Sequence, residues 1–177
     1  MELSWSHAVL YVRDLEPMLD FYTNVLGFKV TDRGPIGPDA PEIVFLSQCS
    51  NEHHQIAMLP IRSDQDRPNT VNHFAFRVAN FSDVTELLGT LQGIEETKPG
   101  PLSHGNTLSV YFSDPEGNGI EVFWDTPWHV AQPQGKPWDP SLSEEEALAW
   151  VQENFSDDPS FEPREDYFAR RRAEAAG

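Results

Sequence analysis

Apolar and polar positions alternate along this chain with two periods, and the two periods appear in the same order twice. "HAVLYV" (residues 7–12) and "HFAFRV" (residues 73–78) are apolar runs of strand length, each opened by a histidine. A stretch with helical spacing follows each run and closes at a glycine: "DLEPMLDFYTNVLG" in the first case, "NFSDVTELLGTLQG" in the second. In the first stretch Met18, Leu19, Tyr22, Val25 and Leu26 recur at the spacing that lines one helix face. Then come "FKVTD" and "IEETK", a Gly-Pro loop, and two further strands, "EIVFLS" with "HQIAML" and "TLSVYFS" with "GIEVFW". The intervening "DPEGN" has the length and composition of a turn between antiparallel strands.

An offset of 66 positions lays residues 7–58 on residues 73–124 without a gap. His7 falls on His73, Gly27 on Gly93, Gly34-Pro35 on Gly100-Pro101, and Gln55 on Glu121. The pattern predicts an α+β fold of two tandem βαβββ modules forming a cupped, mostly antiparallel sheet. One domain spans residues 5–128, with modules at about 5–60 and about 71–125 joined by "PIRSDQDRPNT". Residues 129–177 form a C-terminal extension that clamps the core or contacts a second copy. Its Pro- and Trp-rich start should run extended, and "SLSEEEALAWVQENF" predicts a helix with a Ser143–Glu146 capping box and an Ala147, Leu148, Val151, Phe155 stripe. The tail "EDYFARRRAEAAG" reads as helical or frayed.

Composition narrows the partners. A formal charge of −17 opposes binding to nucleic-acid backbones and anionic membranes. The start "MELSWSHAVLYVRDLE" lacks the basic and long apolar regions of a signal peptide, and no run has the length of a membrane span. The single cysteine, Cys49, excludes an internal disulfide framework, so a cytoplasmic location is expected.

Candidate chemistry centres on the repeat. His7 and His73 share a repeat position, and Glu121 interrupts the apolar strand Ile120, Val122, Phe123, Trp124, where a carboxylate is unfavourable unless paired or coordinating. A strand histidine is more often packed or solvated than a ligand. If His7, His73 and Glu121 converge, they offer two imidazoles and a carboxylate to a divalent first-row metal, with coordination positions left open. The adjacent His53 and His54 are surface residues, ligands or proton carriers on this reading alone.

At this point "HAVLYVRDLEPMLDFYTNVLGFKV", "VNHFAFRV" and "YFSDPEGNGIEVF" together resemble the vicinal oxygen chelate superfamily of glyoxalase, bleomycin resistance and extradiol dioxygenase proteins. Within it the chain is most similar to small single-domain type I extradiol dioxygenases that act on 2,3-dihydroxybiphenyl. That resemblance, over roughly residues 5–130, implies metal ligands at His7, His73 and Glu121. The family's Tyr-x-x-Asp-Pro-x-Gly-x-x-x-Glu run falls on Tyr111, Asp114, Pro115, Gly117 and Glu121, placing Tyr111 near the substrate oxygens. It implies a proton-carrying histidine at His54, from "HQIA", with His53 as the alternative because strict alternation puts His53 on the face of Gln55. It also implies a substrate-binding histidine at His104, although the seven-residue spacing to Tyr111 is two shorter than the family's; a loop-tip histidine is the competing reading. His129, beyond the repeat, reads as structural.

The activity so implied is Fe(II)-dependent extradiol cleavage of a small aromatic diol by O2, with Mn(II) as the alternative ion, in a homodimer or higher homo-oligomer. Two rivals follow from the same superfamily. A glyoxalase-type isomerase or glutathione-dependent transferase would take Gln55 as a fourth ligand. A protein that sequesters an aromatic drug would need no metal.

Overall fold

The two apolar runs and the strands that follow them build two four-stranded sheets in this computed structural model, which describes residues 7–35, 39, 41–50, 53–62, 71 and 73–175. The linker residues 63–70 and the loop residues 36–38 lie outside the described residues. The chain divides into two compact units: residues up to Thr70 with the turn Asp114–Gly117, and Val71–Ser113 with Asn118–Gly177.

In the first unit β1 (Ala8–Tyr11), β2 (Lys29–Pro35), β3 (Glu42–Ser47) and β4 (Ile56–Leu59) lie in the order β1-β4-β3-β2. β1 and β4 are parallel, and the other pairs are antiparallel. Helix α1 (Leu15–Asp20) continues as a π-helical turn (Phe21–Val25) and stops before Gly27, whose φ of 74° is a left-handed conformation suited to glycine. Met18, Leu19, Phe21 and Tyr22 of this segment are buried with Val44, Leu46, Ile56 and Met58. The second unit repeats the arrangement: β5 (His73–Val78), α2 (Phe81–Leu91), β6 (Gly100–Ser103), β7 (Thr107–Ser113) and β8 (Gly119–Asp125), with strand order β5-β8-β7-β6 and a parallel β5–β8 pair. Phe81, Val84, Leu88 and Leu91 form the buried stripe of α2, each contributing about 1.5–3 kcal/mol by burial. The fold is therefore α+β, two mixed sheets from tandem βαβββ modules.

Three details differ from the pattern read along the chain. "IEETK" is a 3₁₀ turn (Glu95–Thr97) followed by Lys98 in the left-handed region, so it is no strand. The Gly-Pro pairs expected in loops instead lie inside β2 and β6. Both are edge strands, where a proline leaves no ladder hydrogen bond unmade toward a neighbour. The gapless offset also breaks. Ala8 pairs with Ile56 and Phe45 with Ala57, whereas Phe74 pairs with Ile120 and Tyr111 with Glu121. The paired residues Phe45 and Ala57 stand two positions further apart along the chain than the corresponding pair Tyr111 and Glu121, so the counterpart of Glu121 in the first module is Ala57, not Gln55.

The C-terminal segment clusters with the second module. β9 (Trp128–His129) pairs with β10 (Glu162–Pro163), and Ser103 and Lys136 exchange backbone hydrogen bonds of 2.8 and 2.9 Å. Helix α3 (Glu144–Phe155) carries the Ser143–Glu146 capping box and buries Ala147, Val151 and Phe155; the tail is helical as α4 (Arg164–Ala175). No helix among the described residues is long and apolar enough to cross a membrane.

The turn Asp114–Gly117 stabilises the first unit. Buried Asp114 accepts the Tyr22 hydroxyl at 3.2 Å, and its other oxygen accepts the Glu116 N–H at 3.0 Å. Glu116 accepts the backbone N–H groups of Arg13 and Asp14 at the start of α1, with Arg13 and Arg62 as ionic partners at 3.6 and 3.4 Å. Asp114→Ala leaves the buried Tyr22 hydroxyl without this acceptor, and the expected loss is ~1–3 kcal/mol of stability. A urea unfolding midpoint equal to that of the parent would contradict this role.

Candidate functional site

Period two along β7 and β8 sets one cluster. Ser109 and Tyr111 share a face of β7, Glu121 is the cross-strand partner of Tyr111, and His73 lies on the neighbouring β5. Glu121 is only 7% exposed, which calls for compensation of its charge. Ser109 donates its hydroxyl to one carboxylate oxygen at 2.7 Å, and His73 Nε2 lies 3.3 Å from the other. The His73 and Tyr111 rings meet edge to face, with centroids 5.3 Å apart. Burial, and then the adjacent Glu121 charge, raises the Tyr111 phenol well above the ordinary tyrosine range.

His104 completes this group from the β6–β7 connection. Its Nε2 is 2.8 Å from the Tyr111 hydroxyl, and its Nδ1 is 2.5 Å from the backbone carbonyl of Gln134. The shorter loop thus still brings His104 onto Tyr111. The loop is tight because Gly105 has a φ of 81° and lies against the C-terminal segment: a Cβ there would meet Val130 Cγ1 at 2.5 Å.

The first unit holds a second cluster, of His7, His53, His54 and Phe45. β4 begins at Ile56, so His53 and His54 precede the strand and strict alternation does not govern their directions. The His54 ring lies 4.3 Å from that of His7, and Phe45 packs edge-on against His54 at 4.9 Å. His53 points toward Asp32, with Nε2 3.7 Å from its carboxylate, and is more exposed. The two Nδ1 atoms are 3.0 Å apart, so one of them carries the proton of a shared hydrogen bond. Gln55 is committed elsewhere: its side-chain oxygen accepts the Gln48 N–H at 2.9 Å and closes the β3–β4 connection. Beside this connection Lys29, Thr31, Ser47, Gln48, Cys49, Ser50 and His53 line a cavity of about 450 Å3. His129 stacks on Tyr167 at 3.5 Å within the C-terminal segment.

Among the described residues, no three His, Cys, Asp or Glu side chains already stand as a metal-holding group. The donors in the second unit nevertheless suit one. Glu121 is buried, one oxygen is oriented by Ser109, and the other meets an imidazole nitrogen, a carboxylate–histidine pair of the kind that serves first-row divalent ions. Ser109 and Phe45 were not among the residues singled out along the chain. Ser109, two positions before Tyr111 on the same strand face, was findable by period; the Gln134 carbonyl, a backbone group, was not.

The model of the Glyoxalase/Bleomycin resistance protein/Dioxygenase superfamily matches residues 4–122. A biphenyl-2,3-diol 1,2-dioxygenase of Metapseudomonas furukawaii is 29% identical over 140 residues, covering 74% of this chain and 45% of that protein. A catechol-2,3-dioxygenase of Bacillus subtilis is 33% identical over 127 residues, covering 68% of this chain and 41% of its own length. The chain thus spans a little under half the length of these dioxygenases. A lactoylglutathione lyase of Neisseria meningitidis serogroup A is 30% identical over 118 residues, covering 65% of this chain and 86% of that protein. Among solved structures, the fosfomycin resistance protein FosX of Listeria monocytogenes has the same fold, with a TM-score of 0.57, 23% identity, and coverage of 71% of this chain and 96% of its own.

Because the Gln55 side chain holds a backbone N–H, Gln55→Ala should lower stability by roughly 0.5–1.5 kcal/mol and leave the metal bound per chain unchanged. Loss of metal from that variant, measured by elemental analysis, would return Gln55 to the ligand set.

Proposed function

From membership of the glyoxalase/bleomycin resistance/dioxygenase superfamily, to which this chain belongs, we propose that it is an extradiol dioxygenase. It would open the ring of a small aromatic diol, catechol or 2,3-dihydroxybiphenyl in kind, with O2 as co-substrate. The observation that carries this reading is the pairing of Tyr111 with His104 at 2.8 Å, directly beside the buried Glu121 and His73. A phenol and an imidazole next to a carboxylate–histidine pair suit the binding of two adjacent hydroxyl oxygens. The isomerase alternative is disfavoured because Gln55 serves the β3–β4 connection and Ala57 occupies the counterpart position of Glu121. On this reading neither serves as a fourth protein ligand.

The proposed ligands are His73 and Glu121, with His7 as the third from its place in the repeat. Iron(II) is the proposed ion, with manganese(II) as the alternative; when bound, it supplies Lewis acidity and the one-electron chemistry that O2 requires. Ser109 keeps the Glu121 carboxylate oriented. Tyr111 and His104 position the diol. His54, beside His7 and hydrogen-bonded to His53, is the proposed proton carrier, since an imidazole holds and releases a proton near neutral pH.

The test is direct. Protein purified without oxygen should contain iron and turn catechol or 2,3-dihydroxybiphenyl into a yellow ring-opened product in air. Glu121→Ala should lose the metal. His54→Ala should keep it and lose about 10²–10⁴-fold in turnover. Turnover retained in His54→Ala but lost in His53→Ala would move the proton role to His53. A metal-loaded protein that yellows no catechol yet forms S-lactoylglutathione would be a glyoxalase-type isomerase instead.

A further inference from the structure

We infer that the strap of residues 130–136 acts as a tautomer clamp on His104, and that it works through the backbone carbonyl of Gln134. A carbonyl oxygen only accepts, so the 2.5 Å contact requires the proton of the His104 ring to sit on Nδ1. In the neutral ring Nε2 then carries the lone pair. The Tyr111 hydroxyl, 2.8 Å from that lone pair and also hydrogen-bonded to the Glu121 carboxylate, therefore has its one proton committed to these two protein acceptors. Glu121, with an oxygen 3.9 Å from Nε2, lies beyond hydrogen-bond reach of that nitrogen.

The strap is built to hold this carbonyl in place. The Gln132 side-chain amide donates to the His104 carbonyl at 2.8 Å and to the Val130 carbonyl at 3.2 Å, while its oxygen accepts the Gln134 N–H at 3.0 Å. The Gln134 side chain donates to Asp158 at 3.1 Å, beyond the end of α3. On the far side Ser103 and Lys136 exchange two backbone hydrogen bonds, and the Lys136 ammonium donates to the Asn154 carbonyl. One glutamine side chain thus bridges the histidine loop and the segment whose carbonyl fixes its tautomer.

The consequence for binding rests on the proposed dioxygenase reading. With its proton committed to His104 and Glu121, the Tyr111 oxygen meets a ligand as an acceptor. Tyr111 would therefore select a diol that still carries a hydroxyl hydrogen at that oxygen, rather than a bare carbonyl or oxyanion. Gln132 and Gln134 are positioning residues in this scheme.

The tautomer is readable without turnover. Two-bond 1H–15N correlation of the histidine rings, on the protein as isolated or with zinc(II) replacing a paramagnetic ion, reports which nitrogen bears the proton. His104→Gln identifies the His104 signals by their loss. The native protein, at a pH where the ring is neutral, should show a protonated Nδ1 and an unprotonated Nε2. In the double variant Gln132→Ala/Gln134→Ala the His104 signals should shift toward the Nε2–H form. With the diol, kcat should fall about 10-fold or more, KM should move less, and metal content should be unchanged. An Nε2–H pattern in the native protein, or native signals retained in the double variant, would overturn the clamp. A protein with the Nδ1–H pattern that cleaves no catechol would sink the dioxygenase reading and leave the clamp standing.

Discussion

A carboxylate almost withdrawn from water in the middle of a sheet face is the constraint on which this site depends. Burying an unpaired carboxylate is unfavourable by several kcal/mol, so Glu121 needs polar neighbours fixed in place around it. Ser109 and His73 take its two oxygens, and both are delivered by backbone register: Ser109 from β7, His73 from the parallel β5. The dependence then runs outward. Tyr111 lies across from Glu121, His104 bonds Tyr111, and Gln134 bonds His104. The C-terminal segment is thus tied to the carboxylate through three successive contacts, and this gives it a role in the second unit beyond covering apolar surface.

What could be read along the chain followed what the chain's periodicity encodes. Glu121 announced itself because it breaks the apolar run "GIEVFW", and His73 because it repeats the position of His7. The βαβββ order was legible because strand and helix periods differ. The Gln55–Glu121 correspondence failed for a definite reason: a gapless offset carries no account of connection length, and Phe45 and Ala57 pair two positions further apart along the chain than Tyr111 and Glu121. Gly-Pro looked like a loop signal, yet an edge strand tolerates a proline, and whether a strand is an edge is a property of the sheet rather than of its residues. The direction of His53 and His54 was undecidable for a similar reason. Alternation applies inside a strand, and both residues precede it.

The strap was illegible in a stronger sense. Gln134 acts on His104 with a carbonyl that every residue possesses, so its identity carries no signal. The informative side chains are Gln132 and Gln134 as anchors, and in a Pro-rich stretch polar residues of that kind look like ordinary solvated positions. Only the meeting of two distant segments gives them meaning.

The eleven-residue run from Tyr111 to Glu121 serves two separate ends, and this bears on how far family likeness reaches. Its outer residues, Tyr111 and Glu121, face the site. Its inner residues, Asp114 and Glu116, hold Tyr22 and the start of α1 in the first unit, with Gly117 in the left-handed conformation that the turn requires. Half of the run therefore answers to folding. A chain can match it because it must build the same turn, whatever chemistry it performs, which is why one fold relates this protein to dioxygenases, a lyase and FosX alike. Discrimination has to come from positions the turn does not need. In the second unit the positions free of the turn include His104, which meets Tyr111 with the strap behind it; in the first they include His54 beside His7, and Ala57 at the counterpart of Glu121.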